Sequence, residues 1–283
     1  MIKPAFDIGS FDEESDSLSL CSLIIEVTEK QFTCALVNKK SSRLLQLRQY
    51  DISSESIESR NEFIMNLVAG DSFFKRKVSE TVIIYNFIES TLIPGIFFST
   101  EMAKPVMEIV SGNTYKGLAL SEKIPGNDIY TIYRIPKEIH SFLQNSFSAG
   151  NYWHFNSLII SSIYSREDEA GIVFHLYFYP DKMIAAIFDE KKLQLMQSCF
   201  YELPEDLSFY LLNICRQLNF DPEKVQLLIS GLIDEDSAMY DEIARYFLQI
   251  EWDTKGADAL KFDQLTEYPA HYFSPILQMA LCV

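Results

Sequence analysis

The sequence is poor in glycine, and this shortage already narrows the classes of function. Ten glycines in 283 residues are about half of the ~7% found in average proteins. Few positions are therefore left for a glycine-rich loop that could cradle phosphate. Neither the GxSxG nucleophile motif nor the GxxxxGK[ST] phosphate loop occurs. The sequence thus lacks the usual signatures of an α/β-hydrolase and of a P-loop nucleotide-binding protein.

Metal-ligand spacings are also absent from the sequence. The five cysteines form no CxxC pair, and the four histidines show no HxxxH or HExxH spacing. An odd number of cysteines, most of them within apolar segments, is typical of buried free thiols. No signal-peptide pattern and no run of 18 apolar residues is present. We therefore expect a cytoplasmic protein with no membrane span and no metal site.

Basic residues are outnumbered by acidic ones. The chain has 24 Lys and Arg against 40 Asp and Glu, and a net charge of −16. Nucleic-acid binding requires clustered positive charge to neutralise phosphates, so a nucleic-acid partner is not expected. Glu26 could supply the carboxylate that a two-metal nuclease carries on its first strand, but the matching strand segments 45–47 and 82–85 contain no acidic partner for it. Nuclease activity is therefore not expected either.

Apolar, β-rich runs separated by polar turns open the chain. Strands are predicted over residues 23–27, 32–37 and 44–50. Residues 53–69 carry apolar side chains at helical spacing, and either Ser54 or Ser56 could cap this helix. Residues 78–85 predict a buried strand, because they are too apolar and β-branched to alternate between two faces.

The same order of elements recurs after Gly171. Strands are predicted over residues 172–179, 183–188, 193–201 and 225–229. Residues 204–218 predict a helix, since proline stands in the first turn and Glu205 and Asp206 lie near the positive N-terminus. Further helices are predicted over 100–110, 137–147, 235–246 and 269–282, and further strands over 118–122, 129–135 and 247–252.

The two halves also match in their residues. Residues 32–37 align with 183–188, and Leu45-Gln46-Leu47 aligns with Leu193-Gln194-Leu195, with Gln49 over Gln197. His154 and His271 each stand before an apolar helical stretch. Four matches in the same order indicate an internal duplication. The paired histidines indicate either a repeated structural contact or a shared site.

Three antiparallel strands, a helix and then alternating strands and helices resemble the order of the ribonuclease-H-like fold. Two such units in tandem resemble the actin-like ATPase superfamily, which includes actin, Hsp70-type chaperones, sugar kinases and pilus-assembly proteins. The chain also resembles a bacterial family of acidic proteins with this fold and no known activity. The resemblance implies an α/β protein with mixed sheets flanked by helices. It further implies two ribonuclease-H-like domains, residues 1–168 and 169–283.

In that superfamily, each half opens with a hairpin whose Asp-x-Gly turn approaches the ATP phosphates and helps to hold Mg²⁺. The matching turns here, residues 26–30 and 177–181, contain no glycine, and Pro180 cannot donate a hydrogen bond. A third motif, a strand ending in Gly-Gly beside adenosine, keeps one glycine in Ser230-Gly231. The resemblance therefore implies Glu26, Ser230 and Gly231 as the residues beside a nucleotide, if one binds. It implies no catalytic residue.

A second stretch imitates the phosphate motif. Asp7-Ile8-Gly9-Ser10 has the right residues, but only six residues precede it and the acidic segment 11–16 follows. The motif acts at the turn of a hairpin between two core strands, and this context is missing. We therefore predict a flexible or edge segment for residues 7–10 rather than a phosphate site.

Two hypotheses about function remain open at this point. The first is a non-catalytic actin-like-fold protein that acts through contacts with an unknown protein partner or with itself, and needs no cofactor. The second is an ATP-binding actin-like ATPase or kinase that uses altered nucleotide loops and takes ATP with Mg²⁺. The degenerate phosphate turns favour the first, and fold alone decides neither.

Overall fold

The computed structural model describes residues 2–11, 18–53, 56–112, 117–166, 170–261 and 267–282. The chain divides into two units, each with a hydrophobic core of its own. Unit 1 comprises Met1–Ser161, Ala259–Leu265 and Met279–Val283, and unit 2 comprises Ser162–Asp258 and Thr266–Gln278. The domain limits predicted from the sequence, 1–168 and 169–283, stay a prediction. No helix in the described ranges is long and apolar enough to cross a membrane.

The described residues of unit 1 form a six-stranded sheet in the order β1-β4-β3-β2-β5-β9 and a three-stranded sheet in the order β6-β8-β7. β2, β3 and β4 pair antiparallel, whereas β2, β5 and β9 run parallel. In chain order, the elements up to the start of unit 2 are β1 (Phe6–Gly9), β2 (Cys21–Val27), β3 (Gln31–Asn38), β4 (Arg43–Asp51), α1 (Ile57–Gly70), β5 (Glu80–Tyr85), β6 (Ser90–Pro94), α2 (Ala103–Ser111), β7 (Gly117–Lys123), β8 (Ile129–Pro136), α3 (Lys137–Ser146), β9 (Asn151–His154) and α4 (Phe155–Tyr164).

Helix α1 begins directly after its N-cap residue, Ser56, which is one of the two cap residues predicted from the sequence. The Ser56 hydroxyl accepts a hydrogen bond from the amide of Ser59 at 3.1 Å, which satisfies one of the unpaired amides of the first turn. The helix packs Ile64, Leu67 and Val68 into the hydrophobic core of unit 1, and Asn61 is buried as well. The other candidate, Ser54, lies outside the described residues.

The three-stranded sheet is an insertion between β5 and α3. Its strands β7 and β8 and its helix α2 were predicted from the sequence, whereas β6 was not. Helix α2 packs on this sheet through a small core of Ala103, Met107 and Ile132. β6 has only five residues, none of them fully buried, so it has neither the length nor the apolar content that predicts a strand.

Unit 2 contains a five-stranded sheet in the order β12-β11-β10-β13-β14 among its described residues. Its elements are β10 (Ile172–Phe178), β11 (Lys182–Asp189), β12 (Lys192–Phe200), α5 (Pro204–Leu218), β13 (Gln226–Gly231), α6 (Ala238–Ala244), β14 (Gln249–Trp252), α7 (Lys255–Asp258) and α8 (Ser274–Cys282). Helix α5 has the predicted bounds and ends at Asn219 in the left-handed conformation. The single helix predicted over 269–282 is wrong in detail, because a 3₁₀ turn at Ala270–Tyr272 precedes α8.

The structure repeats an irregularity in both halves. The β3–β4 pairing shifts register between Leu36 and Val37, and the β11–β12 pairing shifts between Ile187 and Phe188. These positions are equivalent in the predicted alignment of 32–37 with 183–188. A β-bulge at the same point of two copies is a specific feature, so the repeat extends to the details of strand pairing.

The alignment predicted for the third strand is wrong by one residue. Leu44 pairs with Val37 as Leu193 pairs with the equivalent Phe188, so Leu44 and Leu193 occupy equivalent positions in the two copies. By the same comparison, Gln46 is equivalent to Leu195. The predicted match of Leu45-Gln46-Leu47 with Leu193-Gln194-Leu195, and of Gln49 with Gln197, is therefore shifted. The predicted match requires the first turn to be three residues longer than the second, whereas it is two residues longer, since four residues separate β3 from β4 and two separate β11 from β12.

The Asp7-Ile8-Gly9 stretch forms β1 at the edge of the six-stranded sheet, where it pairs antiparallel with β4. The Asp7 carboxylate accepts hydrogen bonds from Gln46 at 3.1 Å and from Arg48 at 3.0 Å. The prediction of an edge segment is confirmed. Its carboxylate joins β1 to β4.

Candidate functional site

Polar residues gather at the carboxyl end of the parallel strands of unit 1. β2, β5 and β9 lie side by side, and Val27, Tyr85 and His154 stand in register at their ends. In open α/β sheets, ligands bind outside the carboxyl ends of the strands. The residues at this edge, beginning with the predicted phosphate turn, are therefore the first candidates for a site.

The turn after β2 is closed by its own threonine. The Thr28 hydroxyl accepts hydrogen bonds from the amides of Lys30 at 3.1 Å and Gln31 at 2.8 Å. The Thr28 amide in turn donates to the Gln31 carbonyl at 2.9 Å. Three of the four amides of residues 28–31 are thus used within the turn, and Thr28 is buried. A phosphate oxygen would have to displace the hydroxyl to reach these donors.

Glu26, a predicted site residue, lies buried on β2 within unit 1. Its carboxylate accepts a hydrogen bond of 2.7 Å from the side-chain amide of Asn86, the residue that follows β5. Glu29 in the turn accepts a bond of 2.7 Å from the amide of Ile88. The two acidic residues of this region therefore connect the hairpin turn to the end of β5.

A second buried network surrounds His154 at the end of β9. The amide of Asn156 donates to His154 Nδ1 at 3.2 Å, so Nε2 carries the proton and donates to the Phe87 carbonyl at 3.3 Å. Glu122 accepts from the His154 amide at 2.8 Å and from the Tyr133 hydroxyl at 3.1 Å. Burial raises the pKa of Glu122 to about 7. Sequence reasoning missed Glu122, which resembles an ordinary polar residue of a β-strand.

The equivalent turn of unit 2 is closed in another way. Pro180 supplies no amide proton, and the Tyr179 amide donates to the Lys182 carbonyl at 2.9 Å. The Tyr201 hydroxyl donates to the Tyr179 carbonyl at 2.6 Å, and the Tyr201 amide donates to the Asp181 carbonyl at 3.2 Å. The turn is therefore held by backbone bonds and by a tyrosine from the end of β12.

Ser230 and Gly231, the other predicted site residues, end β13 in unit 2. A Cβ atom on Gly231 would lie 2.2 Å from the Phe178 carbonyl oxygen, and the residue has a φ of +92°. Glycine is therefore required here by the close approach of β10. The Ser230 hydroxyl is buried and makes no hydrogen bond within the described structure. It is the polar group at this strand end that retains unused bonding capacity.

An ion pair that the sequence did not reveal lies in unit 2. Arg166 donates to the Asp253 carboxylate at 2.7 Å, with both side chains almost fully buried. His175 on β10 lies beside them, its Nδ1 3.4 Å from the Arg166 guanidinium. The residues are far apart in sequence, and Arg166 stands in a polar stretch close to the domain boundary predicted at residue 168. No local signal could have identified this pair.

The two paired histidines make the same contact in their respective units. His271 Nε2 donates to the Ile233 carbonyl at 2.8 Å, as His154 Nε2 does to that of Phe87. Phe87 and Ile233 each lie two residues beyond the end of the central parallel strand, β5 or β13. Burial lowers the pKa of His271. The repeated histidine therefore holds the segment after this strand in both copies.

No group of three His, Cys, Asp or Glu side chains suited to a metal ion occurs within the part of the chain that the structure describes. The described residues also do not fit a triphosphate group at either turn. One turn already uses its amides for Thr28 and the other has a proline. Each of the two hairpin turns is therefore closed, because its polar groups form hydrogen bonds within the same unit.

Comparison with known proteins identifies the family and the fold of this chain. A family model described as "Protein of unknown function (DUF3822)" matches residues 12–250. No curated protein matches the chain. A protein of Bacteroides thetaiotaomicron with an actin-like ATPase fold and unknown function superimposes with a TM-score of 0.79 at 18% identity, covering 96% of this chain and 99% of the other.

Two further structures are similar at lower scores. The PilM-PilN type IV pilus biogenesis complex gives a TM-score of 0.57 at 10% identity, over 92% of this chain and 97% of the other. The ethanolamine utilization protein EutJ from Carboxydothermus hydrogenoformans gives 0.51 at 7% identity, over 93% and 90%. Identities this low establish the fold alone. The chain belongs to the DUF3822 family, a family of unknown function, and has the actin-like ATPase fold.

Proposed function

We propose that this protein is a non-catalytic member of the actin-like fold that acts by binding another protein. The observation that carries the proposal is the closure of the first hairpin turn. Three of its four amides donate to Thr28 or Gln31, so the donors that would cradle phosphate are already in use. A chain that has this fold but no free amides to bind phosphate is better suited to binding another protein through its surface than to catalysis.

The second turn supports the same proposal independently. Pro180 removes one donor, and the close approach of the Phe178 backbone explains the glycine at position 231 without a ligand. The PilM-PilN structure, which has a similar fold, is named as a complex, and this similarity of fold is consistent with a binding role.

The setting and the charge of the chain agree with this proposal. The buried cysteines, which form no disulfide, support a reducing, cytoplasmic setting. The strongly acidic chain makes a protein more suitable than a nucleic acid as the partner.

An alternative function has one observation in its favour. The buried Ser230 hydroxyl makes no hydrogen bond within the described structure, and an unused polar group at a strand end could serve a ligand. In this alternative, the chain binds ATP with Mg²⁺ through altered loops, with Glu26, Ser230 and Gly231 near the nucleotide. It would then act as an ATPase or kinase.

Thermal unfolding with and without millimolar Mg-ATP separates the two functions. A ligand at 100 times its dissociation constant stabilises the folded state by ~2.7 kcal/mol, which raises the midpoint by a few degrees for domains of this size. We expect no shift with Mg-ATP, Mg-ADP or Mg-GTP. A clear upward shift that Ser230→Ala or Glu26→Gln abolishes would overturn the binding-protein proposal in favour of the alternative.

A further inference from the structure

A groove lies on unit 1 where helix α1 begins beside the start of α3. It has a volume of about 430 Å³ and is lined by Ile57, Glu58, Asn61, Glu62, Met65, Pro136 and Glu138. The α1 residues stand at positions i, i+1, i+4, i+5 and i+8, so they share one face of the helix. The floor is partly apolar, with Ile57 and Met65 half-buried and Pro136 buried.

Three carboxylates surround this floor. Glu58, Glu62 and Glu138 are all exposed, and Glu58 and Glu62 are four residues apart on α1, where like charges repel each other. Two basic residues stand nearby in the sequence. Lys137 does not line the groove, and the Arg60 guanidinium lies over the Phe87 ring at 5.4 Å. The lining residues of the groove therefore include negative charges and no positive one.

Asn61 adds a second, independent feature. It lines the groove although only 7% of its surface is exposed, and its Oδ1 accepts no hydrogen bond within the described structure. Buried side-chain oxygens usually have a donor, because an unpaired one costs about 1–3 kcal/mol. An asparagine at such a position therefore points to a donor that arrives with a ligand.

We infer that this groove binds a segment of another protein that carries lysine or arginine beside an apolar side chain. The cationic group would donate to Asn61 Oδ1 and lie between the three glutamates, and the apolar side chain would cover Ile57 and Met65. A strongly acidic partner, including a second copy of this chain at net charge −16, lacks the overall charge complementarity. The inference rests on the proposed function, since it names the kind of partner that the protein binds.

Fluorescence anisotropy with a labelled peptide of alternating lysine and leucine tests this inference. We expect Glu58→Gln/Glu62→Gln/Glu138→Gln to weaken binding about tenfold or more. The matched control is Glu101→Gln/Glu223→Gln/Glu251→Gln, which changes the net charge equally at exposed positions and should leave the affinity within about twofold. Circular dichroism of each variant verifies that it is folded.

Substitution of Asn61 sharpens the test. Asn61→Leu removes the acceptor at nearly constant side-chain volume, so it should weaken peptide binding severalfold. Equal losses in the two triple variants would show attraction to net charge alone and would overturn the inference, as would absence of binding to the wild-type protein at millimolar peptide. Neither result would restore a nucleotide function. That function is decided by the Mg-ATP measurement.

Discussion

The two hairpin turns reach the same closed state with different residues. Each turn has an identical backbone bond of 2.9 Å across it, and the strands that follow carry a bulge at equivalent positions. In unit 1 the turn is completed by the hydroxyl of Thr28, whereas in unit 2 Pro180 and Tyr201 complete it. The comparison shows that the duplicated backbone specifies the hairpin. The side chains then decide whether its amides can reach a ligand.

The sheets also differ at their outer strands. β4 is mostly buried, because β1 pairs with its free edge, whereas β12 is itself an edge strand and is half exposed. The β1 segment, whose sequence imitates a phosphate motif, is thus used to cover an edge. Edge strands left uncovered are sites of unwanted pairing, so in unit 1 the nine-residue strand β4 is covered and the four-residue strand β1 forms the edge instead.

The largest effect is expected from breaking the buried ion pair of unit 2. Asp253→Asn should destabilise the protein by about 3–5 kcal/mol, because it removes the negative charge that balances the buried Arg166 guanidinium. The exposed pair of Lys224 and Asp221, at 3.3 Å, provides the control: Lys224→Ala should cost about 0–1 kcal/mol. Urea unfolding measures both. Equal costs would mean that the Arg166 guanidinium finds water or another acceptor.

Gly231→Ala tests whether the backbone alone requires this glycine. The new Cβ would lie 2.2 Å from the Phe178 carbonyl, so we expect a loss of about 2–4 kcal/mol. Gly171→Ala is the matched control in the same unit, with a φ of +75° and open space around it. It should cost only the left-handed strain of about 1–2 kcal/mol. A smaller effect at Gly231 than at Gly171 would contradict the packing argument.

Thr28→Val compares the two ways of closing the turn. Loss of the hydroxyl leaves the amides of Lys30 and Gln31 without their acceptor, which should cost about 1–3 kcal/mol. Tyr201→Phe removes a single bond from the turn of unit 2 and should cost about 1 kcal/mol. Thr28→Ser should retain most of the stability. Thermal or urea unfolding of the three variants checks the order, and an unaffected Thr28→Val would show that the hydroxyl does not hold the turn.

The two units also differ in the pH dependence that they give to stability. The pKa of Glu122 is about 7 in the folded state against 4.5 in a model compound, so folding favours its neutral form and stability falls as the pH rises from about 4.5 to 7. Burial lowers the pKa of His271 from its ordinary value of 6.5, so the contribution of His271 to stability is lost as the pH falls below 6.5. Glu122→Gln should remove the first slope and His271→Gln the second. Urea titrations between pH 4.5 and 8 measure both, and unchanged slopes would contradict these assignments.

Much of the architecture could be predicted from local patterns. Helix α5 has its predicted bounds because Pro204 and the acidic residues after it form a complete N-terminal signal. The core hairpins were predicted because their apolar runs are long and bounded by polar turns. β6 was missed because it is short and only partly buried, and the alignment of the third strand was shifted because turn length cannot be deduced from apolar patterns alone.

The site was less accessible to sequence reasoning. The absence of glycine from both turns was visible in the sequence, and it suffices to question a phosphate cradle. That Thr28 itself accepts the amides was not visible, because its neighbours Glu29 and Lys30 suggest only an exposed polar turn. The pairs Asn86–Glu26 and Arg166–Asp253 join residues 60 and 87 positions apart, and a single sequence contains no signal for such contacts.

The sequence by itself determined the repeated order of strands and helices and the absence of glycine from both hairpin turns, since apolar periodicity and residue identity are local properties. The tertiary structure decided how each turn is closed, by a hydroxyl in unit 1 and by a tyrosine in unit 2, and it decided the histidine bond that is repeated in both units. It also decided that Glu58, Glu62 and Asn61 share one groove with Glu138, because only packing brings α1 beside α3. Contacts between distant residues depend on how the elements pack, and packing is a property of the whole chain.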